Sequence, residues 1–164
     1  DEGRFGRISR PQRCWAPKGV RLSVPQQLVR DYMYVYTAVA PNLGRMTSLI
    51  LPRTNTTMMN LFLAHVAETF PDYFIVMQVD HAAWHRSKHL KIPENMRLVP
   101  QPARSPELNP VEHIWDYLRE NALRNRLFGS LKKVIAALVD GLHDLAADAA
   151  ALTSMTYFPH LRVA

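Results

Sequence analysis

The first third of the chain alternates hydrophobic and polar positions, and helical spacing takes over afterwards. In residues 31–40, Tyr32, Tyr34 and Tyr36 alternate with Met33, Val35 and Thr37, the period-two pattern of a strand. Pro41-Asn42-Leu43-Gly44 reads as a turn, and residues 45–51 as the returning hairpin partner. Upstream, residues 13–23 read as a strand pair broken at Pro17-Lys18-Gly19. From Asn55, the positions Met58, Leu61, Phe62, His65 and Val66 form one helical stripe, which Pro71 ends. Residues 73–79 are nearly continuously apolar, which predicts a strand buried on both faces. Strand, helix and strand in succession predict a crossover and a partly parallel sheet. A short strand at 96–99 leads into a loop rich in proline. The spacing then predicts a helix from Pro110 to about Arg124, with Val111, Ile114, Trp115, Leu118 and Leu123 inward. A last helix, capped by Ser130, carries Leu131, Ile135, Leu138, Leu142 and Leu145, and residues 146–151 form an alanine-rich run.

Composition narrows the class. The 164 residues are 48% hydrophobic and 21% charged, which suits a single α/β domain over residues 1–164 with a real core. No apolar stretch approaches the roughly 20 residues of a membrane span, and residues 1–30 carry no apolar signal-peptide core. The single cysteine, Cys14, excludes an internal disulfide and points to a reducing, intracellular compartment. The net charge is +6, and its excess is concentrated. Arg4, Arg7, Arg10, Arg13, Lys18, Arg21 and Arg30 face only Asp1 and Glu2 within the first 30 residues. Such a stretch suits a polyanion, most often nucleic acid, or else serves solubility.

Two acids stand where elements begin or end. Asp80 closes the apolar strand, so its charge must reach solvent, cap the next turn or bind something. In sheets containing parallel strands, ligands gather at such carboxyl ends. In Asn109-Pro110-Val111-Glu112 the spacing fits a capping box, with Asn109 as N-cap and Glu112 at the third helical position. Capping is the stronger reading of this segment taken alone, and catalysis the alternative. His81, His85 and His89 recur every four residues and would share one face of a helix, a spacing that zinc sites use.

Taken together, Asp80-His81-Ala82-Ala83-Trp84-His85 and Ser105-Pro106-Glu107-Leu108-Asn109-Pro110-Val111-Glu112-His113-Ile114-Trp115 resemble the DDE integrase/transposase superfamily, and more narrowly the mariner-type transposases of bacterial insertion sequences. Asp1-Glu2-Gly3-Arg4-Phe5-Gly6 is similar to the region of that family's first Asp, and Trp15-Ala16-Pro17-Lys18-Gly19 to the strand after it. His81 stands where the family usually has Asn or Gln, and Ala103-Arg104 where it commonly has Pro-Tyr.

The resemblance implies an RNase H-like fold, a mixed five-stranded sheet flanked by helices. The family's strand before the first Asp and its amino-terminal helix-turn-helix region are expected to be missing from this chain. It also implies DNA cleavage and strand transfer by Asp1, Asp80 and Glu112 as ligands of Mg²⁺ or Mn²⁺, two ions in all. Arg4, Arg7, Arg10, Arg13, Lys18 and Arg104 would bind DNA, with His85, Asn109 and Trp115 in support. The implied partners are transposon ends, target DNA and a second copy of the chain. The implied setting is the bacterial cytoplasm, at the nucleoid, with no membrane. A DNA-binding remnant without catalysis and an RNase H-like nuclease acting on RNA or RNA–DNA hybrids are the rival readings.

Overall fold

The computed structural model of the chain describes residues 1–9 and 11–161. Its first sheet is antiparallel, in the order β1 (Glu2–Ile8), β2 (Leu28–Ala40) and β3 (Arg45–Leu51). The hairpin between β2 and β3 lies where the tyrosine alternation and the turn sequence predict it. Gly44 takes the left-handed conformation (φ 58°) that lets the chain reverse there. Helix α1 (Thr56–Thr69) crosses to β4 (Ile75–Val79), which pairs in parallel with β5 (Met96–Pro100). Helices α2 (Val111–Tyr117), α3 (Leu131–Ala147) and α4 (Ala149–Thr156) follow.

The β1–β2–β3 sheet separates two cores. One face, with Phe5 and Val35, packs under Ile114, Trp115 and Leu118 and under Val134, Leu138, Leu142, Leu145 and Leu152 of the later helices. The other face, with Tyr36, packs against Met59, Phe62, Leu63 and Val66 of α1 and against Met77, Val79 and Met96 of the parallel pair. Each large aliphatic or aromatic side chain so buried contributes about 1.5–3 kcal/mol. Among the described residues no helix is long and apolar enough to cross a membrane.

Several expectations need correction. Residues 13–23 form no strand. The segment between β1 and β2 is irregular and largely exposed, its turn closed by Val20 N–H on the Pro17 carbonyl at 3.0 Å. The strand following Asp1 is instead β1 itself. The five strands form two separate ladders rather than one continuous sheet, so β1 and β4 meet through side chains.

Strand β4 is buried on one face only. Met77 and Val79 point inward, while Phe74 and Val76 are exposed, so the apolar run does not mark a two-sided strand here. In α1 the buried stripe is Met59, Phe62, Leu63 and Val66. Leu61 is exposed, and His65 turns aside to the Thr47 hydroxyl at 2.7 Å. The roll follows from Phe62 meeting Tyr36, ring centroids 5.5 Å apart.

Helix α2 gives way after Tyr117 to a π-helical turn over Leu118–Ala122, closed by Leu123 N–H on the Leu118 carbonyl at 3.1 Å. Ser130 caps α3 as expected, its hydroxyl accepting from Lys133 N–H. The alanine run holds a break, where Asp148 caps a separate helix α4.

Candidate active site

Asp1 extends the β1–β2 ladder by one residue. Thr37 N–H donates to the Asp1 carbonyl at 3.0 Å, and the Asp1 amine donates to the Thr37 carbonyl at 3.1 Å. The ladder fixes the backbone, and two further bonds orient the carboxylate. Its Oδ1 accepts from Glu2 N–H at 2.7 Å, and its Oδ2 accepts from the Asn109 side-chain amide at 2.6 Å. Asn109 uses its other end, Oδ1, to accept from Val111 N–H at 3.1 Å and so caps the start of α2. One side chain therefore ties the first acid to the helix that carries Glu112. The capping box itself does not close, because Glu112 makes no side-chain hydrogen bond to the helix start.

Gly3 lets this corner pack. A Cβ there would lie 2.9 Å from the Trp115 ring, so only glycine allows β1 to approach α2 this closely. Trp115 in turn meets Phe5 edge-on, ring centroids 5.7 Å apart. The expected support from Trp115 is thus packing beneath β1.

Asp80 leaves the end of β4 half-buried, and its Oδ1 accepts from Ala82 N–H at 2.9 Å. The same oxygen lies 2.6 Å from Nδ1 of His85, whose Nε2 lies 3.0 Å from Oε1 of Glu2. The His85 side chain is fully buried and that of Glu2 is 4% exposed. Burial alone would lower the histidine pKa. The hydrogen bond to Glu2 and the charges of Glu2 and Asp80 outweigh it and hold the pKa above the ordinary value. The His85 ring, set between two carboxylates, thus bridges the gap that the backbone ladders leave between β1 and β4. The Asp1 amine shows the same convergence: burial lowers its pKa, against the raising effect of Glu2, Asp80 and Glu112.

His81, His85 and His89 do not share a face. Residues 83–86 make only a short 3-10 turn, His81 bonds the Gln101 carbonyl at 2.6 Å, and His89 is exposed. That removes the zinc reading. Glu2, which bridges to Asp80 through His85, was missed by sequence reasoning. Its only signal was an acid at the first position of a strand that had not been recognised.

As donors, Asp1, Asp80 and Glu112 offer only oxygen, which fits a hard divalent ion such as Mg²⁺ or Mn²⁺. Oδ2 of Asp80 and both carboxylate oxygens of Glu112 accept no hydrogen bond among the described residues. No group of three His, Cys, Asp or Glu side chains among the described residues closes round a single ion. The set fits in kind and is too spread to enclose one ion.

The predicted DNA-contacting residues are scattered. Arg4 and Arg7 lie on β1, while Arg13 and Lys18 are exposed on the irregular segment after it. Arg104 is exposed with a left-handed backbone (φ 58°) in the loop before Ser105. Arg10 lies outside the described residues.

A family model described as DDE superfamily endonuclease matches residues 1–135. The chain belongs to this family. The uncharacterized protein y4pE/y4sA of Sinorhizobium fredii (strain NBRC 101917 / NGR234) is 38% identical over 105 residues, 63% of this chain and 78% of that protein. Among solved structures, the Mos1 mariner paired-end complex with Mn matches with a TM-score of 0.64 at 14% identity, over 96% of this chain and 55% of that one. The Mos1 transposase paired-end complex with left transposon end matches with a TM-score of 0.61 at 16% identity, over 96% and 55%. This DDE superfamily chain therefore has an RNase H-like fold and spans about half the length of the solved transposases it matches.

Proposed function

We propose that the chain is the catalytic domain of a mariner-type transposase, cutting and joining DNA strands at a divalent-metal site formed by Asp1, Asp80 and Glu112. The observation that carries this reading is the junction itself. Asn109, at the start of the helix that carries Glu112, holds the Asp1 carboxylate, and His85 ties Asp80 at the end of β4 to Glu2, the neighbour of Asp1. Similarity to transposases solved with their transposon ends, one of them with Mn, supports DNA as the substrate and Mg²⁺ or Mn²⁺, two ions, as the cofactor. When bound, the metal supplies Lewis-acid stabilisation of phosphoryl charge and makes a water or a 3′-hydroxyl more acidic.

The protein's own groups do the rest. Asn109 holds the Asp1 carboxylate in one orientation, and His85 holds Asp80 while neutralising part of the local negative charge. Arg4, Arg7, Arg10, Arg13, Lys18 and Arg104 supply phosphate contacts. On this reading the chain works within a homodimer on paired DNA ends, in the bacterial cytoplasm at the nucleoid.

The test is nicking of a supercoiled plasmid in Mn²⁺ and in Mg²⁺. Nicking that needs the ion and is lost in Glu112→Gln, with folding kept, supports the proposal. Nicking that persists in a chelator, or an equally active Glu112→Gln protein, overturns it. The ion should also raise the melting temperature of the unmutated chain, because it binds the folded state alone.

A further inference from the structure

Beyond the acidic junction, β1 runs into an open cavity of about 580 Å³ lined, among the described residues, by five arginines. Arg4 and Arg7 come from β1, Arg119 from the π-helical turn, and Arg124 and Arg126 from the segment before α3. One carboxylate, Asp116, lines the same space, paired with Arg119 at 3.3 Å. A second, Asp31, stands 3.7 Å from Arg7. Positive charge is therefore in clear excess, and such crowding costs stability unless an outside anion relieves it.

Apart from these two carboxylates, the groups that hold the guanidiniums are neutral. Arg4 lies over the Tyr32 ring at 5.2 Å, Arg119 over Phe5 at 5.5 Å and Arg126 over Phe128 at 5.1 Å. Arg7 donates from Nε to the Phe128 carbonyl at 3.0 Å, Arg126 to the Ala122 carbonyl at 2.9 Å, and Arg124 to the Arg13 carbonyl. Each partner fixes the side chain but satisfies few of its five N–H donors, leaving forks free to grip phosphate oxygens. Three of the five arginines follow α2, within residues 119–126.

We propose that this arginine cleft binds the sugar-phosphate backbone of the DNA duplex that the carboxylate junction acts on; the assignment of the duplex rests on the function proposed above. The geometry sets the spacing. At about 3.3 Å per strand residue, Arg4 and Arg7 stand roughly 10 and 20 Å along β1 from Asp1. At 3.4 Å per base pair, the cleft then meets phosphates about three to six base pairs from the bond at the carboxylates. A small anion would need one or two forks, whereas five around one open space suit a chain of phosphates.

The test is the binding of a labelled 30-base-pair duplex, followed by fluorescence anisotropy in a chelator over a range of salt. Removing Arg119 and Arg124 together by Ala should reduce the slope of log affinity against log salt by about two, and Arg119→Lys with Arg124→Lys should retain it. Asp116→Asn should tighten binding, because it removes the only acid that lines the cleft among the described residues. A slope unchanged by the Ala pair overturns the proposal. So does an equal loss in the Lys pair, which would mean packing rather than charge. Because binding is read without metal, an arginine-dependent slope in a chain that never nicks DNA would leave the cleft standing and overturn the catalytic reading. Metal-dependent nicking with an unchanged slope would do the reverse.

Discussion

At the start of β1, the carboxylates of Asp1 and Glu2 are each taken up by a partner: Asn109 for the first and the buried His85 for the second. A few residues further along the same strand, Arg4 and Arg7 open onto a cavity where carboxylates are few. The acidic end is satisfied and partly sealed, while the basic end has donors to spare. A carboxylate withdrawn from water must be paired, or it takes up a proton. A guanidinium on an exposed face can keep its charge and wait for an anion. One strand thus carries a rigid site at one end and an open grip at the other.

The largest effect should come from the acidic end. In plasmid nicking, Glu112→Gln should lose about 10³-fold or more, equivalent to about 4 kcal/mol of barrier, because it removes a charge where charge stabilisation is the chemistry. The Glu112 side chain makes no hydrogen bond among the described residues, so urea unfolding of the Gln variant should be close to that of the parent chain. A large loss of stability would show that Glu112 is structural.

His85→Ala should come next. It leaves the Glu2 carboxylate buried without its partner, which for a broken buried pair costs about 3–5 kcal/mol. Urea unfolding measures this directly, and a loss below about 1 kcal/mol would mean that water replaces the bridge and the β1–β4 gap is not sealed. Asn109→Ala removes a charge-assisted bond and a helix cap, for a loss of about 1.5–3 kcal/mol by the same measurement. Gly3→Ala forces its new methyl against Trp115 and should cost about 1–3 kcal/mol.

The smallest effect on stability belongs to the basic end. Arg119→Ala should change the unfolding free energy by no more than about 0.5 kcal/mol, because its ion pair with Asp116 is exposed and worth little. A loss as large as that of Gly3→Ala would break the contrast between the two ends.

Much of this was written locally. The hairpin of β2 and β3, the Asn55 and Ser130 caps and the start of α2 near Pro110 follow from alternation and capping chemistry, which depend on neighbours a few residues away. Asp80 and Glu112 could be singled out because each stands where an element ends or begins. The motif around each of them carried the family resemblance.

Other features needed the packed chain. The side of α1 that is buried was settled by Tyr36 meeting Phe62, a contact between residues 26 positions apart. Strand β4 reads as nearly continuously apolar, yet Val76 on one of its faces is exposed, and periodicity cannot report a missing apolar neighbour. The bridge from Glu2 through His85 to Asp80 spans 83 positions, and the arginine cleft joins β1 to a turn more than a hundred residues later. The sequence alone determined which residues carry charge and where α1 and α3 start and the β2–β3 hairpin turns. Only tertiary structure decided which charges meet, because that depends on how the sheet and helices stack, and stacking is settled by side chains far apart along the chain.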